Sequence, residues 1–181
     1  MDTESGQPQP LTTKSPTTLA GQKLTRYGSA VAATLRETLL APDVQPRVVA
    51  DCETLVNGEI SGMSGISGTA VKLAYKAVRT YDAGHVHYII ETLLPNLADA
   101  LQPYWTDFAA DGGGEFGGYL AKRQDEVSEA LLAITDERGR NSGRPVIVKA
   151  YNTVRGGAAK HVKAALPAVG ALVQKYMQKY A

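Results

Sequence analysis

The feature that most constrains the fold of this chain is an internal repeat. The thirteen residues AYKAVRTYDAGHV, which begin at Ala74, share seven identities without a gap with AYNTVRGGAAKHV, which begin at Ala150. Pro95 also aligns with Pro167 once four residues are omitted. Two copies of one pattern predict two related structural units that pack on each other, here near residues 45–105 and 119–180.

Apolar residues in both copies recur at helical spacing, as at Val49, Cys52, Val56 and Ile60. The segment 146–148 is ambiguous because three consecutive β-branched residues favour a strand. Its place in the repeat nevertheless predicts a helix. We therefore predict an all-α helical bundle built from two tandem three-helix units, preceded by a short helix. Each unit has a helix, a Ser-Gly turn, a second helix and a longer helix that proline interrupts.

The N-terminal residues differ in composition from the rest of the chain. Residues 1–22 are rich in Pro, Ser and Thr, which predicts a disordered tail before a single all-α domain of residues 23–181. They lack the basic start and the apolar stretch of a signal peptide. The longest apolar run, residues 164–173, is too short to cross a bilayer. Together with a lone cysteine, these features predict a cytoplasmic protein without a transmembrane segment.

The glycine-rich stretch SGMSGISG at residues 61–68 raises the question of a phosphate-binding loop. Gly68 is followed by Thr-Ala-Val, whereas a phosphate-binding loop of the Walker type needs Lys-Ser or Lys-Thr at this point. A Ser-Gly pair also begins both copies of the repeat. A turn between two helices is thus the simpler interpretation, with an anion-binding helix N-terminus as the alternative.

The sequence offers no catalytic residue, no cofactor-binding motif and no metal site. His85 and His87 lie two residues apart and so point to different faces of a helix, while His87 and Glu91 share a face but lack a third ligand. We expect no cofactor and favour a non-enzymatic protein, although an enzyme remains open. A deep pocket lined by converging polar groups, especially His85, His87, His161 or the acidic residues of the segment 82–137, would favour an enzyme.

Charge is unevenly distributed although the net charge is only +1. Residues 82–137 hold 11 acidic and 2 basic side chains, and the residues after Glu137 hold 9 basic and none acidic. This asymmetry predicts either internal complementarity or a surface for an anionic partner. Arg79 and Arg155 recur beside repeated tyrosines, which favours an ion pair between helices. The candidate contacts for an anion or a partner are Lys72, Lys76, Arg79, Lys160, Lys163, Lys175 and Lys179.

Three functional hypotheses follow from these patterns. The first is a non-catalytic binding or scaffolding protein that contacts an unidentified protein partner or its own copy. The second is a peripheral binder of anionic membranes or nucleic acid, which would use the basic amphipathic C-terminal helix. The third is an enzyme whose site cannot be recognised in the sequence.

A resemblance rests on three stretches, VVADCETLVNGEISGMSGISGTAVKLAYKAV, LPNLADALQPYW and RPVIVKAYNTVRG. Together they resemble a family of small alanine-rich actinobacterial proteins with no assigned function. The resemblance implies a compact, helical, cytoplasmic protein. It supplies no catalytic residue.

Overall fold

The computed structural model describes residues 33–181, apart from the side chain of Arg140, and within this range the chain is all-α. Seven helices occur there and no strand: α1 (Leu35–Leu39), α2 (Gln45–Gly62), α3 (Gly65–Tyr81), α4 (His85–Ala110), α5 (Phe116–Lys122), α6 (Gln124–Arg140) and α7 (Pro145–Tyr180). The predicted all-α fold class is confirmed. The predicted disordered tail, residues 1–22, lies outside the described residues.

A capping box begins α1, and a glycine turn separates α2 from α3. Thr34 caps α1 through a hydrogen bond from the Glu37 N–H to its side-chain oxygen (3.1 Å), and the Glu37 carboxylate accepts the Thr34 N–H (2.9 Å). Met63 and Ser64 link α2 to α3, so the glycine-rich stretch is a turn between helices, as predicted. Gly65, with a φ of 76°, supplies the left-handed conformation at that turn.

The description of the second unit as three helices is wrong, because α7 runs unbroken through the point where α3 and α4 separate in the first copy. There the Asp82 side chain accepts the Gly84 N–H (3.0 Å) between the two helices. The second copy has alanines and a lysine at the equivalent positions, which favour helix. Pro95 was expected to kink or break its helix, and the break is wrong, since Pro95 lies inside α4 and Pro167 lies inside α7. Helix α7 does include residues 146–148, as the repeat predicted.

The densest part of the core lies where α1, α5 and the C-terminal half of α7 meet the C-terminal half of α4. Four aromatic rings pack there with centroid separations from 5.0 to 6.2 Å, those of Trp105, Phe108, Phe116 and Tyr119. The aromatic residues after Pro103 therefore belong to the core or pack against it. The buried residues of α7 likewise all lie at or beyond Leu166.

The opposite end of the bundle is loosely packed. Only Gly68 is buried in α3, and only Val48 and Val49 are buried in α2. Helix α3 runs antiparallel to the first half of α7, because Gly157 lies beside Ser67 and Arg144 lies beside Asp82. The long helices α4 and α7 pack on the shorter helices rather than closely on each other, which leaves space between them. None of the helices in residues 33–181 has the length and hydropathy to span a membrane.

Candidate functional site

An apolar cavity of about 410 Å³ lies between α2, α3, α4 and α7, and no polar atom contributes to its surface. The members of its wall are aliphatic except for Cys52 and Tyr75. The Tyr75 hydroxyl donates a hydrogen bond to Asn57 Oδ1 (2.5 Å), so that its polar atom is already paired. The main lining residues are Leu55, Val56, Val78, Ile89, Ile90, Leu93, Leu97, Val169 and Leu172. A cavity with this lining offers water no hydrogen bonds and favours a hydrocarbon.

The only cysteine of the chain, Cys52, lies in the wall of the apolar cavity. Burial, assisted by the charge of the neighbouring Asp51, raises the pKa of the Cys52 thiol to about 11. A thiol with this pKa stays protonated at neutral pH and is a poor nucleophile. Cys52 is therefore part of an apolar wall rather than a reactive group.

A second and more polar cavity of about 840 Å³ lies between α4, α6 and the first half of α7. His85, Arg138 and Arg144 line it, together with Tyr88 and Tyr151. Much of the remaining wall is aliphatic, from Ile89, Leu93, Leu132, Ile134, Ile147 and Val162. This polar cavity thus combines two guanidinium groups and an imidazole with an apolar wall.

His85 is buried at the start of α4 and is held by Arg144. The distance from Arg144 Nη1 to His85 Nδ1 is 2.8 Å, and Asp82 Oδ2 lies 3.5 Å from the same guanidinium nitrogen and 3.8 Å from Nδ1. Because arginine is always a donor, Nδ1 is the acceptor and the imidazole proton is assigned to Nε2. Burial lowers the pKa of His85, and the charges of Arg144 and Arg138 lower it further. His85 is therefore neutral and lies in a positive field.

The hydroxyl groups that line the polar cavity do not form a nucleophile–base pair. Thr135 donates to the Leu132 carbonyl oxygen (2.9 Å), and Ser142 accepts the Arg144 N–H (3.3 Å). The Tyr151 hydroxyl donates to Asp136. The arrangement offers cationic and hydrogen-bonding groups to a ligand. It does not offer an activated nucleophile.

Two residues of α4, Ile89 and Leu93, line both cavities. They are one helical turn apart and thus lie on the same face of α4. Leu93 is buried and Ile89 is half-buried. These two side chains form the partition between the cationic groups of one cavity and the hydrocarbon wall of the other.

The three candidate cations of α3 are exposed and lie away from both cavities. Within residues 33–181, Lys72 and Lys76 form no ion pair. The guanidinium of Arg79 lies 5.9 Å from the centre of the Tyr75 ring. Arg155, its counterpart in the repeat, instead pairs with Asp136 (Nη2 to Oδ2, 2.7 Å). The predicted ion pair between helices is therefore confirmed for Arg155 alone.

The candidate cations of α7 mostly contact groups of the protein itself. Lys163 pairs with Asp125, and Lys175 Nζ lies 2.7 Å from Asp51 Oδ2. Lys179 lies 5.0 Å above the Tyr180 ring, and Lys160 is exposed. The apolar residues Tyr176 and Met177 of this helix are buried in the core. This arrangement favours internal charge complementarity at the C-terminal helix.

The two remaining histidines lie outside the polar cavity. The closest acidic group to His87 is Glu53, with 3.4 Å between Nδ1 and Oε2, rather than Glu91 of the same helix. His161 lies beside Gly157, in the part of α7 that faces α3. Within the described residues no three potential ligands come together as a metal site would require.

Sequence reasoning missed Arg138 and Arg144 as site residues. The sequence contained one signal for them, since the basic segment begins at Arg138, but this segment also contains the lysines of α7, and its composition does not distinguish the two groups. The two arginines lie on opposite sides of the turn between α6 and α7 and reach His85 only through tertiary packing. Of the residues that a polar pocket was expected to contain, the cavity contains His85 and, from the acidic segment, Glu137.

Comparison with known proteins identifies a family but no function. No curated protein and no solved structure matches the chain. The actinobacterial origin implied by the resemblance stays a prediction. A family model described as a family of unknown function (DUF6918) matches residues 35–177, most of the chain, and the protein therefore belongs to that family.

Proposed function

We propose that this protein is a non-catalytic binding protein for a small molecule with a hydrocarbon chain, of the acyl or isoprenoid class. The observation that carries the proposal is the apolar cavity of about 410 Å³, whose surface contains no polar atom. Cavities of this size are typical of small-molecule sites. The proposal narrows the hypothesis of a helical binding protein to a specific class of ligand.

The free-energy cost of apolar surface left in contact with water supports an occupant, because the wall of this cavity is entirely apolar. A hydrocarbon ligand recovers much of this cost, at about 0.8 kcal/mol for each buried methylene.

The test uses a neutral apolar dye, N-phenyl-1-naphthylamine, whose fluorescence rises in an apolar site. We expect the dye to bind saturably and dodecanol to displace it. Val56→Phe fills the cavity, so it should abolish dye binding and leave the fold as stable as before or more stable. Val146→Phe, on an exposed residue outside the cavity, is the matched control and should bind normally. Equal dye binding by both variants would show that the dye does not occupy this cavity.

The enzyme alternative rests on the polar cavity, which contains His85 among converging polar groups. Its arrangement supports binding better than catalysis, because the hydroxyl groups of Thr135, Ser142 and Tyr151 bond to main-chain atoms or to Asp136 rather than to the imidazole. The test is a screen of hydrolase and transferase model substrates. Turnover that His85→Gln abolishes while the fold persists would establish an enzyme.

A second candidate function is contact with an anionic lipid bilayer, and the observation that favours it is the exposed face of α3. Ile66, Leu73 and Tyr81 are 94%, 64% and 56% exposed. Their spacing places them on one side of the helix. Lys72 and Lys76 lie beside this stripe, and α3 contains no acidic residue. Such a helix has the character of a membrane-surface helix. The contact would then lie on α3 rather than on the C-terminal helix.

Co-sedimentation with vesicles tests this second candidate. We expect binding to phosphatidylglycerol vesicles and little to phosphatidylcholine vesicles, with loss of binding in Leu73→Asn and in the double variant Lys72→Gln with Lys76→Gln. Lys122→Gln, an exposed cation of α5, is the control. A dimer in solution that Leu73→Asn dissociates would instead assign the stripe to a second copy, and salt-sensitive binding to DNA alone would assign the lysines to nucleic acid.

The cytoplasmic location stays a prediction, as does the existence of a protein partner. The ligand proposal does not depend on either. A carrier of hydrocarbon ligands that exchanges its cargo at a bilayer would use both the apolar cavity and the exposed stripe of α3, since Tyr75 and Val78 of α3 also line the cavity.

A further inference from the structure

We propose that the ligand is an amphipathic anion. Its carboxylate or phosphate head group would bind between Arg138 and Arg144 in the polar cavity, and its chain would pass Ile89 and Leu93 into the apolar cavity. This inference rests on the proposed function and specifies the head group that the same site selects.

The first step of the argument is an arginine with spare binding capacity. Arg138 is half-buried, lines the polar cavity and forms no ion pair within the described residues. Its guanidinium lies 5.6 Å from the centre of the Tyr88 ring, which holds the group over the cavity wall. A guanidinium has five N–H donors arranged to fit a carboxylate or a phosphate.

The second step is that Arg144 lines the same cavity with most of its donors unused. Its Nη1 atom donates to His85 and lies 3.5 Å from Asp82, a long contact between two side chains that are 45% and 43% exposed. Its Nη2 and Nε groups therefore remain available to an anion. Glu137 also lines the cavity, so the charged side chains of the wall are two arginines and one glutamate, which leaves a net positive charge.

The third step is continuity with the hydrocarbon site. The wall of the polar cavity beyond the arginines is aliphatic, and its residues Ile89 and Leu93 also face the apolar cavity. A head group at the arginines therefore places the first methylenes of a chain against this partition. Passage of the chain requires the partition to open, and we expect it to open at Ile89, which is half-buried, rather than at Leu93, which is buried.

The experiment compares ligands that share one chain and differ only in the head group. Dodecanoate, dodecyl phosphate and dodecanol are titrated as competitors of the neutral dye N-phenyl-1-naphthylamine. Charge-assisted hydrogen bonds predict that at least one of the two anions binds about 10 to 100 times more tightly than the alcohol. The anion whose affinity exceeds that of dodecanol by the larger factor indicates whether the natural ligand is a carboxylate or a phosphate.

Variants locate the head group. The double variant Arg138→Gln with Arg144→Gln should bind the anions no better than the alcohol, with its affinity for dodecanol unchanged. Arg123→Gln removes a cation outside both cavities and should retain the full preference for anions. Thermal unfolding followed by circular dichroism establishes that each variant is folded.

The outcomes separate this inference from the function on which it rests. Equal affinities of the wild-type protein for the anions and for dodecanol would overturn the head-group assignment and leave the hydrocarbon site intact. A double variant that weakens all three ligands alike would also overturn it, because the arginines would then act on the fold. If none of the ligands displaces the dye, or the dye does not bind, the proposed function itself fails.

Discussion

Asp136 joins α6 to two side chains of α7. It accepts hydrogen bonds from the Tyr151 hydroxyl and from the Arg155 guanidinium, and its own side chain is only 18% exposed. Tyr75, which aligns with Tyr151 in the sequence, also contacts the helix before its own, since its hydroxyl reaches Asn57 of α2. Each tyrosine thus ties its helix to the preceding one, and at Tyr151 an ion pair strengthens the contact.

Removal of Asp136 should destabilise the fold far more than removal of a surface partner. Asp136→Ala leaves a tyrosine hydroxyl and a guanidinium without their acceptor, which predicts a loss of about 2 to 3 kcal/mol in the free energy of unfolding. Asp125→Ala removes the partner of Lys163, but Asp125 is 82% exposed, and such pairs contribute less than about 1 kcal/mol. Urea denaturation of the two variants measures both changes. Equal losses would contradict a structural role specific to Asp136.

The buried imidazole of His85 makes stability depend on pH. Burial and the charges of Arg144 and Arg138 lower its pKa in the folded state, while Asp82 opposes the shift. Between the lowered pKa and the ordinary value of about 6.5, the unfolded chain binds the proton more readily than the folded one. Stability should therefore fall as the pH decreases through about 6.5.

Melting temperatures between pH 7.5 and pH 5.5 measure this effect. His85→Gln should remove most of the pH dependence in this range. His87→Gln, on a side chain that is 50% exposed, should retain it. A pH dependence that disappears only in the His87 variant would contradict the assignment to His85.

At the scale of elements, α5 and α7 cross in backbone contact. A Cβ atom on Gly170 would lie 2.4 Å from the Gly117 Cα atom, and one on Gly117 would lie 2.3 Å from the Pro167 carbonyl oxygen. Neither distance can be relieved by the rotation of a side chain. The pair of glycines sets how closely α5 approaches the C-terminal half of α7.

Two glycines of the same helix should respond to alanine with opposite signs. Gly170→Ala forces α5 away from α7 and should lower the free energy of unfolding by about 1 to 3 kcal/mol. Gly156→Ala meets no atom within 4 Å and should raise it by about 0.5 to 1 kcal/mol, because alanine favours helix. Thermal unfolding distinguishes these effects. Stabilisation by both substitutions would show that the crossing is looser than described.

The sequence predicts the helices more completely than it predicts where they end or meet. Helical spacing and the repeat are enough to assign helix to residues 146–148, although three β-branched residues favour a strand. The continuity of α7 depends on the replacement of Asp82 and Gly84 by Ala158 and Lys160, a local difference that the similarity of the copies conceals. The site is harder to predict than the helices, since Arg138 and Arg144 approach His85 only after α6 and α7 pack on α4. Cavities leave no periodic signal in a sequence.

At the scale of the whole molecule, packing density changes along the bundle. The end formed by α1, α5 and the last part of α7 contains the aromatic core. The polar cavity adjoins the first half of α7, whereas the apolar cavity reaches from α3 to Val169 and Leu172 in the C-terminal half of α7. Helix α7 spans both regions as one helix, and its buried residues all lie at or beyond Leu166. The first half of α7, together with α3, is thus the part of the described structure with the least buried apolar surface to resist local opening.

Hydrogen–deuterium exchange should therefore differ between the two halves of α7, although α7 is a single helix. Amides before about residue 160 should exchange through local opening, as should those of α3, whereas amides after Leu166 should exchange only with global unfolding. Dodecanoate should slow exchange in α3, which lines the apolar cavity, and in the first half of α7, which lines the polar cavity, because an occupied cavity stabilises the walls that enclose it. The Val56→Phe variant, with the apolar cavity already filled, should show the slower exchange of α3 without ligand and no further change there when ligand is added. Uniform protection along α7 in the free protein would contradict the loosely packed end, and an effect of ligand confined to the aromatic core would place its binding site elsewhere.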